Sequence, residues 1–136
     1  MITRLMYELL RKKPYKTKAI KYKGRTLRVE LADSFTKQAV GLMYREKLGK
    51  ADGMLFILSS EGINRASITM LNMKFAIDIV WLDSAGCVVD IVERAPPANS
   101  IFTRPYAPKA KAKYVLELGS GQANKLKIKE NEKLSL

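Results

Sequence analysis

Apolar positions recur at two periods along this chain. Ile2, Leu5, Met6, Leu9 and Leu10 stand three and four residues apart. That spacing predicts a short amphipathic helix over residues 1–10, which Pro14 would end. Over residues 26–32 the period falls to two: Leu27, Val29 and Leu31 alternate with Arg28 and Glu30, as in a half-buried strand. Paired with residues 19–22 across Lys23-Gly24, this run reads as a hairpin. Asp33-Ser34 then offers a helix N-cap. Phe35, Ala39, Leu42 and Met43 follow at helical spacing, so a main helix is expected over 34–44. Gly41 inside that helix would cost about 1 kcal/mol against Ala. Close packing of the helix on a sheet would account for it.

Residues 54–58, Met-Leu-Phe-Ile-Leu, form a continuous apolar run of the kind found in central strands. Residues 67–71 and 75–82 read as strands, the second rich in β-branched and aromatic side chains. A turn over 83–86, with Gly86 at its left-handed position, leads into a strand over 87–92. Residues 94–113 hold every proline except Pro14 and predict a long irregular loop. A strand over 114–118, a short second helix over 120–126 and a closing strand at 132–136 complete the reading. About seven strands and one dominant helix predict a mostly β domain, a single sandwich or barrel. Its expected extent is 19–136, with residues 1–18 as a basic arm.

The length of 136 residues suits one domain that folds without staples. The chain has no histidine and one cysteine, Cys87. Cys/His zinc sites and Ser-His-Asp or Cys-His nucleophiles are thereby excluded. No metal and no cofactor is expected. Cys87 reads as a small core residue. No run approaches 18 apolar residues, and the basic cluster follows the first apolar stretch instead of preceding it, opposite to a secretory signal. A cytoplasmic protein is the expectation.

The formal charge is +12, and it is unevenly spread. Residues 1–28 carry ten Lys/Arg and one Glu, a net +9, whereas residues 29–102 come to −2. Residues 103–113 carry four basic residues and no acid. Arg11, Lys12, Lys13, Lys16, Lys18, Lys21 and Lys23, with Arg104, Lys109, Lys111 and Lys113, are therefore candidates for binding nucleic acid or another polyanion. Tyr15 and Tyr22 lie among the first group and could stack on unpaired bases. A solvated, solubilising tail explains the same composition.

Four stretches carry a resemblance to a known family: Val29-Glu-Leu-Ala-Asp33, Gly41-Leu-Met-Tyr-Arg45, Asp52-Gly-Met-Leu-Phe56 and Ile77-Asp-Ile-Val-Trp-Leu-Asp83. Gly86-Cys-Val-Val and Tyr114-Val-Leu-Glu-Leu118 follow in order. Over about residues 27–134 the chain resembles the family called domain of unknown function 192, in an archaeal-type form. The resemblance implies a compact, mostly β domain with a helix packed on it, and no established activity. Many bacterial members carry an aromatic-Met-Lys-Asn-Thr stretch where this chain has Thr69-Met-Leu-Asn-Met73, which keeps Asn72 but lacks the aromatic and the Lys. The basic arm lies outside the resemblance.

The polar positions within these motifs are Arg45, Asp52, Asn72, Asp78 and Glu117. Asp78 interrupts an apolar run. A buried carboxylate needs partners, and Arg45 is a candidate for a bidentate contact. One reading gathers Asp52, Asp78 and Glu117 around Arg45 as a ligand pocket, or as paired carboxylates for glycosidic hydrolysis. The other gives Asp52 a turn role and makes Asp78–Arg45 a structural ion pair. The leading expectation is a non-enzymatic β-domain that binds a small ligand or a partner macromolecule. A nucleic-acid-associated protein and a carboxylate-based hydrolase are the alternatives.

Overall fold

The computed structural model describes residues 2–136. Nine segments organise it: α1 (Ile2–Leu10), β1 (Thr17–Tyr22), β2 (Arg25–Ala32), α2 (Phe35–Val40), β3 (Gly53–Gly62), β4 (Ile77–Leu82), β5 (Val88–Ala95), β6 (Ala112–Gly119) and α3 (Gln122–Lys125). A single 3₁₀ turn, Asn64–Ala66, follows β3. The strands form one mixed sheet in the order β1-β2-β3-β6-β4-β5. Only β2 and β3 pair in parallel, with α2 in the crossover between them. The strand-dominated class follows the sequence reading, but the strands number six and the ladder is open.

The local chemistry accounts for most boundaries. Lys23 and Gly24 both take positive φ, as a two-residue hairpin between β1 and β2 requires. Ser34 caps α2 by accepting the Lys37 N–H. The helix is shorter than its periodicity suggests, because Gly41 ends it at φ +50. Leu42 and Met43 are still buried, but from the turn that follows. A Cβ at Gly41 would stand 3.0 Å from the Phe56 ring, so the expected close packing on the sheet does occur, at the helix end. Gly53 serves a tighter approach: a Cβ there would fall 2.1 Å from the Glu117 carbonyl oxygen.

Both sheet faces are covered. Met54, Phe56, Ile77, Ile79, Trp81 and Val115 pack on one face beneath Leu42 and the 66–73 segment. Val29, Leu55, Val80, Leu82, Leu116 and Leu118 pack on the other, with Ala123, Leu126, Ile128 and Leu134. Burial on two faces is why residues 54–58 of β3 form an unbroken apolar run and why β4 is apolar apart from Asp78.

Two predicted strands are absent from the sheet. The 67–71 stretch makes one bridge, Ile68 to Tyr106, and the C-terminal stretch makes single bridges from Ser135 to Lys21 and from Lys133 to Cys87. In 67–71 the period of two arises because Ile68 and Met70 turn inward from a loop. Cys87 is half-buried just ahead of β5, so it is not a core residue.

Asp78 is fully buried in β4 on the face that carries α3. Its Oδ1 accepts the N–H groups of Arg94 at 2.8 Å and Gly121 at 3.1 Å, and its Oδ2 accepts the Ala123 N–H at 2.7 Å. One carboxylate thus ties β5 and the start of α3 to the middle of the sheet. The Arg45 partner expected from sequence is not there. Asp78→Ala leaves three backbone donors unsatisfied and should cost about 4 kcal/mol in urea unfolding. Asp52→Ala, at an exposed turn, should cost about 1 kcal/mol.

Candidate functional site

β6 lies between β3 and β4, and Glu117 sits opposite Met54 and Ile79. Side chains alternate along a strand, so Glu117 projects to the same face as Val115, away from Leu116 and Leu118. It is therefore on the α2 side of the sheet. It is 3% exposed. That remnant opens into a cleft of about 240 Å³ between the end of α2 and the 67–73 segment. Gln38, Gly41, Met43, Phe56, Ile68, Thr69 and Met73 line the walls.

Among the described residues nothing donates a hydrogen bond to the Glu117 carboxyl. Burial pushes its pKa up to about 8, and the positive charge of Arg45 opposes this only in part. A carboxyl largely removed from water favours its neutral form when donors and cations compensate it only in part. At neutral pH the floor of the cleft therefore presents a protonated acid, able to donate one hydrogen bond.

The other candidate residues are dispersed. Arg45, in the turn after α2, donates to Glu30 of β2 from both terminal guanidinium nitrogens, Nη1 at 3.0 Å and Nη2 at 2.7 Å. It also lies 5.2 Å from the centre of the Tyr15 ring. Asp52 is exposed ahead of β3, where its Oδ2 accepts the Arg28 N–H at 2.8 Å. Asn72 is exposed at φ +60. Its carbonyl accepts the Tyr44 N–H at 2.8 Å, and its amide approaches Met43 Sδ at 3.9 Å. It thereby joins the two segments that form the rim of the cleft. Asp78 and Glu117 leave opposite faces of the sheet, so the two cannot flank one bond as paired carboxylates do.

A second cleft, of about 280 Å³, lies behind Val40 and Gly41. Tyr7, Arg11, Lys13, Tyr15, Glu30 and Arg45 line it. Its central charges, Arg45 and Glu30, already satisfy each other. Sequence reasoning picked out Glu117 and Asn72 but missed Gln38, Thr69, Met43 and Met73 as their surroundings. The only available signal was the Asn72 stretch itself, whose first residues, 67–71, read as strand.

The basic candidates are mostly exposed. Lys12, Lys13, Lys16 and Lys18 face solvent. Arg11 pairs with Glu8 at 2.9 Å and Lys23 with Glu132 at 2.9 Å. Lys109 pairs with Glu130. Lys113 donates to the Leu58 carbonyl and is half-buried. Lys21, Arg104 and Lys111 are exposed.

Comparison with known proteins places this fold. The DUF192 family model, described as Uncharacterized ACR, COG1430, matches residues 18–136. A UPF0127 protein of Pyrococcus abyssi is 36% identical over 118 residues, covering 87% of this chain and 91% of the relative. A crystal structure of a protein of unknown function from Novosphingobium aromaticivorans superposes with a TM-score of 0.75 at 27% identity, covering 90% of this chain and 85% of that one. A structure described as a putative transcription regulator from Sinorhizobium meliloti gives 0.77 at 27% identity, covering 90% and 95%. With the four motifs, the sheet order and this match in hand, the chain belongs to the uncharacterized DUF192 family.

Proposed function

We propose that this domain binds a small, largely apolar molecule in the cleft over Glu117, with a carbonyl or similar acceptor directed at the protonated carboxyl. The observation that carries this reading is Glu117 itself, a carboxyl in the middle of a sheet with no hydrogen-bond donor among the described residues, at the floor of an open cleft. An isosteric apolar residue there would avoid the desolvation cost. The walls suit such a ligand. Met43 and Met73 are flexible and polarisable, and Phe56 offers a ring. Gln38 is held in place by its amide, which donates to the carbonyls of Ala32 and Ile57 at 3.0 and 2.7 Å. The size of the cleft limits the occupant to a molecule below drug size. The cleft holds one carboxyl and not a pair, and the reading is therefore binding and not carboxylate-pair hydrolysis.

The raised pKa gives the proposal a pH signature. The folded chain holds this proton more tightly than the unfolded chain does. Stability from this group is therefore full below about pH 4.5, falls as pH rises, and levels off above about 8. The chain has no histidine to obscure that window. Urea unfolding between pH 5 and 8 should lose up to about 1.4 kcal/mol per pH unit. Glu117→Gln should flatten that slope, and an unchanged slope would show that Glu117 titrates normally.

Ligand binding should follow the same proton. In a nuclear magnetic resonance screen of small neutral amides, lactams and ketones, binders should shift the signals of Met43, Thr69 and Met73. Their affinity should fall about tenfold per pH unit above pH 8, as the competent form is depleted. Glu117→Leu should abolish binding. Binders that shift only other regions, or that ignore pH, would refute the assignment.

A further inference from the structure

No residue of α1 is fully buried. At 100° per residue, Met6, Tyr7 and Leu10 fall on one side of the helix, and all three are partly buried. Tyr7 meets the Tyr44 ring at 5.4 Å, and the Thr3 hydroxyl bonds the Tyr44 hydroxyl at 2.7 Å, so the helix is seated on the domain. Ile2, Leu5 and Leu9 fall together on an adjoining side and remain 70%, 63% and 65% exposed. Three large aliphatic side chains in one stripe are more than scattered surface apolarity.

The charge beside the stripe identifies what it fits. Glu8 is the only acid in residues 1–28, and Arg4 and Arg11 take it up at 3.4 and 2.9 Å. Lys12, Lys13, Lys16 and Lys18 follow directly, all exposed. A second copy of this face would be repelled by its net +9. Nucleic acid would meet the lysines but has no use for exposed Ile and Leu, which cannot stack on bases as aromatic rings do. An apolar stripe joined to a basic cluster matches an anionic membrane surface, with aliphatics at the acyl boundary and lysines at the headgroup phosphates. We propose that α1 and the basic stretch after it dock this domain on anionic lipid.

The test is co-sedimentation of the full chain with phosphatidylcholine vesicles and with vesicles carrying 30% phosphatidylglycerol, roughly the charge range over which polybasic segments respond. Partitioning should be at least about tenfold stronger on the anionic vesicles and should fall with salt. Leu5→Gln with Leu9→Gln should lose about tenfold of it, with an unchanged melting temperature because both side chains are exposed. Lys12→Gln with Lys13→Gln should weaken it severalfold. Anionic-vesicle binding undiminished in the leucine variant would overturn the proposal by reducing it to bare charge attraction. Binding of a single-stranded oligonucleotide without any binding of vesicles would overturn it in favour of nucleic acid.

Discussion

The pairing of β4 with β6 decides where every other feature of this domain can lie. The two strands run antiparallel through six residue pairs from Ile77–Gly119 to Leu82–Tyr114, with β3 and β5 flanking them. Both faces of this central pair are covered, so almost every position on them is apolar. Each strand nevertheless carries one carboxyl, Asp78 and Glu117, one residue pair apart in the register. Alternation sends them to opposite faces. Their fates differ because the faces differ. Asp78 meets a helix start and a strand backbone, which supply three N–H donors. Glu117 meets methionines, a phenylalanine ring and a cleft. The first is fastened into the fold, and the second is left facing an opening.

That contrast separates structural from functional burial in a chain without established activity. A buried carboxylate with a full set of donors needs no ligand to explain it. A buried carboxyl without donors persists either as a neutral acid or as one half of a contact that something else completes. Glu117 fits both descriptions at once, because the neutral form is itself a donor. The cleft then has one directed polar group in apolar walls, the usual composition of a small-molecule site. Arg45 does not enter this logic directly. Glu30 and Tyr15 hold it on the far side of Gly41, where it acts on Glu117 only through its field.

Much of the fold was legible in the sequence because its signals are local. The Lys23-Gly24 hairpin, the Ser34 cap, the 54–58 run and the turn at Gly86 all encode their structure within a few residues. The order of the strands was not legible. Nothing local states that β2 and β3 run parallel, or that β6 inserts between β3 and β4. The 67–71 stretch misled for a definable reason. Its alternation records which side chains reach the core, and a loop lying on a core shows that pattern as well as a strand does. The Arg45–Asp78 pair failed on parity, since α2 and Asp78 occupy opposite sides of the sheet. The same parity rule, applied to β6, would have placed Glu117 beneath α2 had the strand order been known.

The central claim is that a sheet-centre carboxyl stays protonated at neutral pH because no donor among the described residues reaches it and the field of Arg45 offsets its burial only in part. Carbon-13 labelling of the glutamate side chains and a direct pH titration of the Glu117 Cδ signal measure this without reference to stability or ligand. The account predicts a midpoint near 8. A midpoint near the ordinary glutamate value, about 4.3, would mean that water or a donor reaches the carboxyl, and would contradict it.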